Sequence, residues 1–373
     1  MPEAMSEEEF SAEHDAVSGQ NRFAAAYHVL DEAIRAHGFP GCAFGVWADG
    51  KILLIDALGR FRYERDAPVV QPATVYDLAS LTKVVATTAA AMLLVQRGKL
   101  DVDSPVGDLL REFVEGRKAG DLARQITVRH LLAHNSGLPG YVEFFRAAET
   151  PAEVFRICMR LRLETAPGAR AEYSDPGFIL LGKALEVCMS EALDVWVGRE
   201  IFAPMGLKST GYCPALEKRG SIPPTGVDER FRRRLIQGEV QDENAFVLGG
   251  VAGHAGIFSN VGDLLRFSAE ILNASTGARL FDPATIDMFA ERQSPEGSSR
   301  ALGWDTPSEK SSSGRYFSRR SIGHLGYSGT SLWIDLEAGI AVVLLTNRTW
   351  PDRKSQLIRE VRPAFHDAVR EAL

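Results

Sequence analysis

Residues 42–58 read CAFGVWADGKILLIDAL, two apolar runs, Cys42 to Ala48 and Lys51 to Leu58, joined by Asp49-Gly50. Asp-Gly between apolar runs is the strongest short-range signal for a β-hairpin. A helical pattern from Arg22 to His37 precedes it and stops at Gly38 and Pro40. The far end of the chain matches in kind. Thr330 to Leu336 and Ile340 to Asn347 flank Glu337-Ala338-Gly339, and a helical pattern follows from Arg353 to Leu373. Two hairpins that each carry a helix bury their apolar faces best in one antiparallel sheet with both terminal helices packed on it.

Between these ends, from about Ala79 to Phe267, the signals are mainly helical. Long Gly- and Pro-rich loops interrupt them at Ser136 to Tyr141, Pro214 to Asp228 and Gly249 to Asn260. The expected organisation is an α+β fold forming one catalytic unit. It has a disordered tail over 1–20, a sheet with its terminal helices over 21–78 and 300–373, and a mainly helical insertion over 79–299, with the site between the lobes. Ser308 to Gly314 reads as a flexible surface loop.

At 373 residues the chain is long enough to enclose a cleft. Its net charge of -7 argues against a nucleic-acid partner, which would need a basic face. The two dense basic runs, Arg230 to Arg234 and Arg315 to Arg320, read as solvated loops. Cys42, Cys158, Cys188 and Cys213 form no CxxC pair and read as small buried hydrophobes. Met1 to Asp15 is acidic and lacks the features of a secretory signal, so a cytoplasmic location is the expectation, a processed periplasmic form being the alternative. The apolar helix Val84 to Val95 is too short to span a membrane.

Three sets of residues carry chemistry. Ser80-Leu81-Thr82-Lys83 opens a helix, and positions i and i+3 share a helix face. A serine hydroxyl needs a neighbouring base, and a lysine desolvated in apolar surroundings can lose its proton for that work. Tyr173-Ser174-Asp175 precedes the helix Gly177 to Val187. A tyrosine near a lysine can have its phenol pKa lowered and shuttle protons, while Asp175 also fits a helix cap. His324-Leu325-Gly326-Tyr327 precedes the strand Thr330 to Leu336. There a cation at His324 would lie on an edge strand, Gly326 would admit substrate close to the backbone, and the Tyr327 N–H would complete an oxyanion hole with that of Ser80.

In the order Ser-Lys, Tyr, His-x-Gly, the three sets together resemble the serine beta-lactamase and penicillin-binding protein superfamily. The likeness is greatest to the class C branch, the low-molecular-weight D,D-peptidases and the related family VIII-type esterases. It covers roughly Phe23 to Thr346 and extends to Leu131 to Pro139, Pro204 to Leu207 and Gly253 to Ser259, stretches that read as loop architecture. His134 and His254 have no metal-binding spacing, and the resemblance implies neither cofactor nor metal.

Two departures bear on substrate. The family tyrosine motif usually ends in asparagine, where this chain has Asp175. Its Lys-Thr-Gly or Lys-Ser-Gly is here His324-Leu325-Gly326. Leu325 cannot offer a hydroxyl to a substrate carboxylate, an ionised Asp175 facing the cleft would repel one, and histidine is a less constant cation than lysine. The expectation is therefore a serine hydrolase acting through a Ser80 acyl-enzyme on a small ester or amide, with Lys83, Tyr173 and His324 catalytic and Asp175, Leu325 and Gly326 binding substrate. The alternatives are a beta-lactamase or D-alanyl-D-alanine carboxypeptidase, and a silent binding or sensor protein of the same fold.

Overall fold

A computed structural model describes residues 22–272 and 280–373, so the tail expected over 1–20 lies outside the described residues. The described residues open with helix α1 (Ala24–Arg35) and the hairpin of β1 (Gly41–Ala48) and β2 (Lys51–Gly59). Asp49 and Gly50 at its turn have φ of 53° and 72°, the left-handed pair that two-residue hairpins require. The middle of the chain is mainly helical and includes α2 (Asp175–Met189) and α3 (Val261–Ile271). It leads into β3 (Ser321–Leu325), β4 (Ser331–Asp335), β5 (Ile340–Thr346) and the helix α4 (Ile358–Glu371). The helical pattern read from Arg353 thus starts five residues later, leaving Arg353 on a loop.

The strands form one sheet in the order β2-β1-β5-β4-β3, every neighbouring pair antiparallel. The two hairpins meet at β1 and β5, where Phe44 lies opposite Leu344. Alternation along these strands divides the core. Phe44, Val46, Trp333 and Leu344 face α1 and α4, packing with Leu30, Val361 and Phe365. Ala43, Leu332, Val343 and Leu345 face the other way, toward the core of the helical lobe and α3. Gly45 makes that approach close, since a Cβ there would sit 2.5 Å from Val261 Cγ1. The sheet layer therefore recruits a helix from within the stretch read as the insertion.

The segment bearing Ser80 runs from the short strand Tyr76–Asp77, which pairs with Ile257–Ser259, into a single 3-10 turn at Ala79–Leu81. Lys83–Thr88 is wound as a π-helix before an α-helix at Ala89–Gln96, the kind of local widening often found at functional sites. Ala79–Gln96 is apolar enough to cross a membrane by length and composition, but most of it is buried inside the fold.

Three expectations for the surface need correction. Arg230 to Arg234 is solvated only in part: Arg230, Arg233 and Arg234 are exposed, but the Arg232 side chain is buried against Asp228 and the carbonyls of Val240 and Gln241, and Arg234 pairs with Glu239. Ser308 to Gly314 is anchored on α4, with Ser313 buried and the Ser312 carbonyl accepting from His366 Nδ1 at 2.8 Å. Cys42 and Cys158 are buried as expected, whereas Cys213 is exposed.

Candidate active site

Ser80 follows a turn that the rest of the site holds in place. Ala79 adopts φ of 48°, an uncommon conformation for a non-glycine residue that must be held by its surroundings. The buried Asp77 carboxylate accepts from the Ala79 N–H at 2.8 Å and from the Gln241 N–H at 2.7 Å. Ser328 Oγ donates to the Asp77 carbonyl at 2.8 Å and Thr330 Oγ1 to the Leu78 carbonyl at 3.0 Å. Ser328 and Thr330 belong to the turn between β3 and β4 that also carries Tyr327. The two backbone N–H groups expected to bind an oxyanion, those of Ser80 and Tyr327, are therefore fixed relative to one another. Among the described residues neither N–H donates to a protein acceptor.

Lys83 is fully buried and uses its three protons on Ser80 Oγ at 3.0 Å, Asp175 Oδ1 at 2.7 Å and the His254 carbonyl at 3.1 Å. Burial alone would drive its proton off. The Asp175 charge and hydrogen bond, with help from Tyr173, outweigh burial and raise the pKa, so the resting side chain is an ammonium rather than the neutral base expected from sequence. Tyr173 OH donates to Ser80 Oγ at 2.7 Å. Its phenol is raised rather than lowered: burial and the Asp175 carboxylate outweigh Lys83, whose Nζ lies 4.7 Å from the ring centre.

Asp175 is the first residue of α2 but not its cap, because Ser174 Oγ accepts from the Gly177 N–H. Its carboxylate is spent on Lys83, which removes the repulsion expected against an anionic substrate. His324 is also corrected. Burial first, then Lys83 and Arg300, hold its imidazole well below the usual range, so it is no cation. Its Nδ1 donates to the Leu325 carbonyl at 2.8 Å, its Nε2 has no partner among the described residues, and its ring stands 5.9 Å from that of Tyr173 without a hydrogen bond. It packs beside Tyr173 and does not orient the hydroxyl. Leu325 and Gly326 line the cavity together with Ser80, Tyr173, Asp175 and Tyr327, a space of about 580 Å³. The glycine serves the fold as much as the substrate, since a Cβ there would lie 2.3 Å from the Leu78 carbonyl oxygen.

With Ser80, Lys83 and Tyr173 in mutual contact, likeness to known proteins can be tested over the whole chain. A family model described as "Beta-lactamase" matches residues 26–363. The chain belongs to the beta-lactamase family. It is 33% identical over 347 residues to the "N-acetylmuramyl-L-alanine amidase" of Bacillus subtilis (strain 168), an alignment covering 84% of this chain and 78% of that protein. Among solved structures, EstCE1, a hydrolase with promiscuous acyltransferase activity, superposes with a TM-score of 0.77 at 22% identity, covering 95% of this chain and all of the other. A class C beta lactamase from Rhodobacter sphaeroides gives 0.71 at 20% identity, over 93% and 99% of the two chains. At such identities the structures speak for the beta-lactamase/transpeptidase-like α+β fold alone. The family assignment makes the protein a serine hydrolase.

Within this beta-lactamase family fold, two stretches that read as loop architecture support the chemistry directly. His134 Nδ1 accepts from the Ser174 N–H at 3.0 Å, and its ring packs 4.6 Å from Tyr173 and 4.8 Å from Phe178. Ser174 Oγ donates to the Pro139 carbonyl and the Asp175 N–H to that of Gly140, so the 134–140 loop clamps the tyrosine motif. The Gly253 to Ser259 stretch supplies the His254 carbonyl to Lys83, while His254 Nε2 pairs with Asp242 at 2.9 Å. Burial would raise Asp242, but His254, the Ala245 N–H and Lys83 bring its pKa down to about 2. Backbone groups leave little trace in a residue pattern. The signal available for these roles was the histidine in each stretch.

Proposed function

We propose that the protein hydrolyses an ester or amide by transferring its acyl group to Ser80 and then to water. The observation behind this reading is that Lys83 and Tyr173 both converge on Ser80 Oγ while Asp175 holds the lysine charged. As Ser80 Oγ attacks the carbonyl carbon, its proton passes to Lys83 Nζ and a lysine proton passes to Asp175 Oδ1, so the ammonium charge never leaves the site. The carbonyl oxygen gathers charge against the Ser80 and Tyr327 N–H groups, which need no reorganisation to receive it. Tyr173 gives its proton to the departing oxygen or nitrogen and is recharged from Asp175 through Lys83. Water then attacks the acyl-enzyme by the same steps in reverse.

The test compares a short-chain p-nitrophenyl ester with a chromogenic cephalosporin, using wild type and Ser80→Ala, with mass spectrometry for an acyl adduct. Ester turnover and an adduct at Ser80, both lost in the variant, are the expected result. Cephalosporin turnover at a comparable rate would move the assignment to a beta-lactamase. An unacylated Ser80 with both substrates would leave a binding protein. Amide cleavage is favoured over ester cleavage by one observation, the likeness to the Bacillus subtilis amidase. Release of L-alanine from N-acetylmuramyl-L-alanine checks it.

A further inference from the structure

Three segments of the active site meet on one residue that the chemistry above does not use. Asp77 ends the short strand before the Ser80 turn, and its carboxylate is enclosed by the fold. Oδ1 accepts from the Ala79 N–H at 2.8 Å, one residue before the nucleophile, and Oδ2 accepts from the Gln241 N–H at 2.7 Å, 164 residues away in sequence. The Asp77 backbone carbonyl takes the Ser328 hydroxyl at 2.8 Å, from the turn that carries Tyr327. Gln241 leads directly to Asp242, which pairs with His254 Nε2, and the His254 carbonyl accepts from Lys83 Nζ at 3.1 Å. A single side chain therefore ties the nucleophile to the segment that receives its lysine.

The two bonds call for the ionised carboxylate. Each oxygen faces an N–H from a different segment, whereas an amide has one oxygen and a protonated carboxyl has one good acceptor and one hydroxyl. Burial opposes the charge, pushing the Asp77 carboxyl up from 3.8 to about 6 against the pull of the Gln241 and Ala79 N–H groups. Asp242 raises it further and Arg232 lowers it. Ser328 on the β3–β4 turn and Phe258 on the paired short strand, which also pack against Asp77, carry no charge. The folded value lies above the unfolded one, so stability from this group is complete below pH 3.8 and is lost as pH rises through about 6. At neutral pH the fold holds an ionised carboxylate against its own burial, beside the left-handed φ of 48° at Ala79. Perturbed carboxylates and strained backbone both cluster at functional sites.

We propose that Asp77 is a positioning residue for acyl transfer: ionised, it holds the Ser80 turn and the Gln241–His254 segment in one geometry, and protonated, it releases one of them. A proton on either oxygen leaves one buried N–H without a good acceptor. Ser80 then shifts relative to Lys83 and to the Tyr327 N–H, and the effect falls on kcat rather than on KM. The inference rests on the acyl-transfer reading, and its test separates the two.

For wild type, Asp77→Asn and Arg232→Gln, kcat and KM for p-nitrophenyl acetate are measured from pH 5 to pH 8, with urea unfolding at pH 7 to verify folding. Backbone hydrogen exchange of residues 78–81 and 240–243, corrected for its intrinsic pH dependence, is followed over the same range. Wild-type kcat should fall below about pH 6 with KM little changed. Asp77→Asn should be slower by about tenfold or more at pH 7 and lack that acid limb, since small misplacements of reacting groups cost rate on this scale. Arg232→Gln removes the cation that favours the ionised form and should move the limb to higher pH. In wild type, exchange of both segments should quicken as pH falls through the same window. An acid limb retained in Asp77→Asn, full kcat in that variant, or exchange that ignores pH would overturn the proposal. Should Asp77→Asn not fold, a limb that Arg232→Gln leaves in place overturns it. Exchange that follows Asp77 as expected, with no ester hydrolysed, would keep the tie between the segments and reject the acyl-transfer reading.

Discussion

Asp175 Oδ1 stands 2.7 Å from Lys83 Nζ, and the same ammonium reaches Ser80 Oγ at 3.0 Å. A carboxylate therefore occupies the position from which an amide would leave the lysine to titrate on its own. The serine proton has a route through Lys83 to Asp175, and the buried cation is never uncompensated.

Asp175→Asn removes both the acceptor and the charge that holds the lysine pKa up, leaving burial as the dominant influence on Lys83. Lys83 must then be neutral to accept the Ser80 proton. At neutral pH kcat should fall by roughly 10²–10⁴, the usual range for one acid–base group, and the remaining activity should climb with pH. A pH profile of kcat/KM on a p-nitrophenyl ester reads the change. An unaltered profile would mean that Asp175 takes no part in the proton route.

Tyr173→Phe keeps the ring between His134 and Lys83 and removes only the hydroxyl that donates to Ser80 Oγ. Loss of a proton donor matters most when the leaving group is basic. The variant should lose far more rate on an alkyl ester than on a p-nitrophenyl ester, up to roughly 10²–10⁴ on the former. Equal losses on both would assign the hydroxyl to positioning Ser80 instead.

The parts of this molecule legible in sequence are those set by local chemistry. Asp49-Gly50 fixes a hairpin turn through backbone conformation, and Ser80 and Lys83 fall on one helix face by spacing. What escaped depended on contacts between distant segments. Whether Lys83 is charged depends on Asp175, 92 residues away. His324 loses its charge to burial, which its neighbours in sequence do not encode. Arg230 and Arg348 line one cavity because the short strand Gly226–Asp228 lies against the segment after β5, where the Val227 N–H donates to the Pro351 carbonyl, so one end of a basic run that read as solvated reaches the cavity.

Gly326 is packed so that a methyl group would lie 2.0 Å from Thr330 Oγ1 and 2.3 Å from the Leu78 carbonyl oxygen. The second neighbour is backbone and cannot swing aside, so Gly326→Ala should push the β3–β4 turn away from the Ser80 segment. Overpacking of this kind costs about 1–3 kcal/mol, and it should separate the two oxyanion donors. Urea unfolding and kcat should both fall in the variant. Full activity at wild-type stability would show that the two segments are free to separate.

His366 sits on α4 with its Nδ1 donating to the Ser312 carbonyl at 2.8 Å, and it lies beneath the sheet beside Ser331. Burial, with Arg362 adding to it, brings its pKa down from 6.5 to about 4, against the opposing pull of the Ser312 carbonyl. Between those two values the unfolded chain carries a proton on this imidazole that the folded chain does not. Stability is therefore complete above about pH 6.5, declines as pH falls through that window and has lost about 3 kcal/mol from this group below pH 4. His134 and His324, also held well below the usual range, pull in the same direction. His366→Asn retains a side-chain donor for Ser312 without a titrating group. Urea unfolding at pH 7 and pH 5 should show wild type losing more stability on acidification than the variant. An identical loss in both would mean that His366 is already protonated in the folded protein.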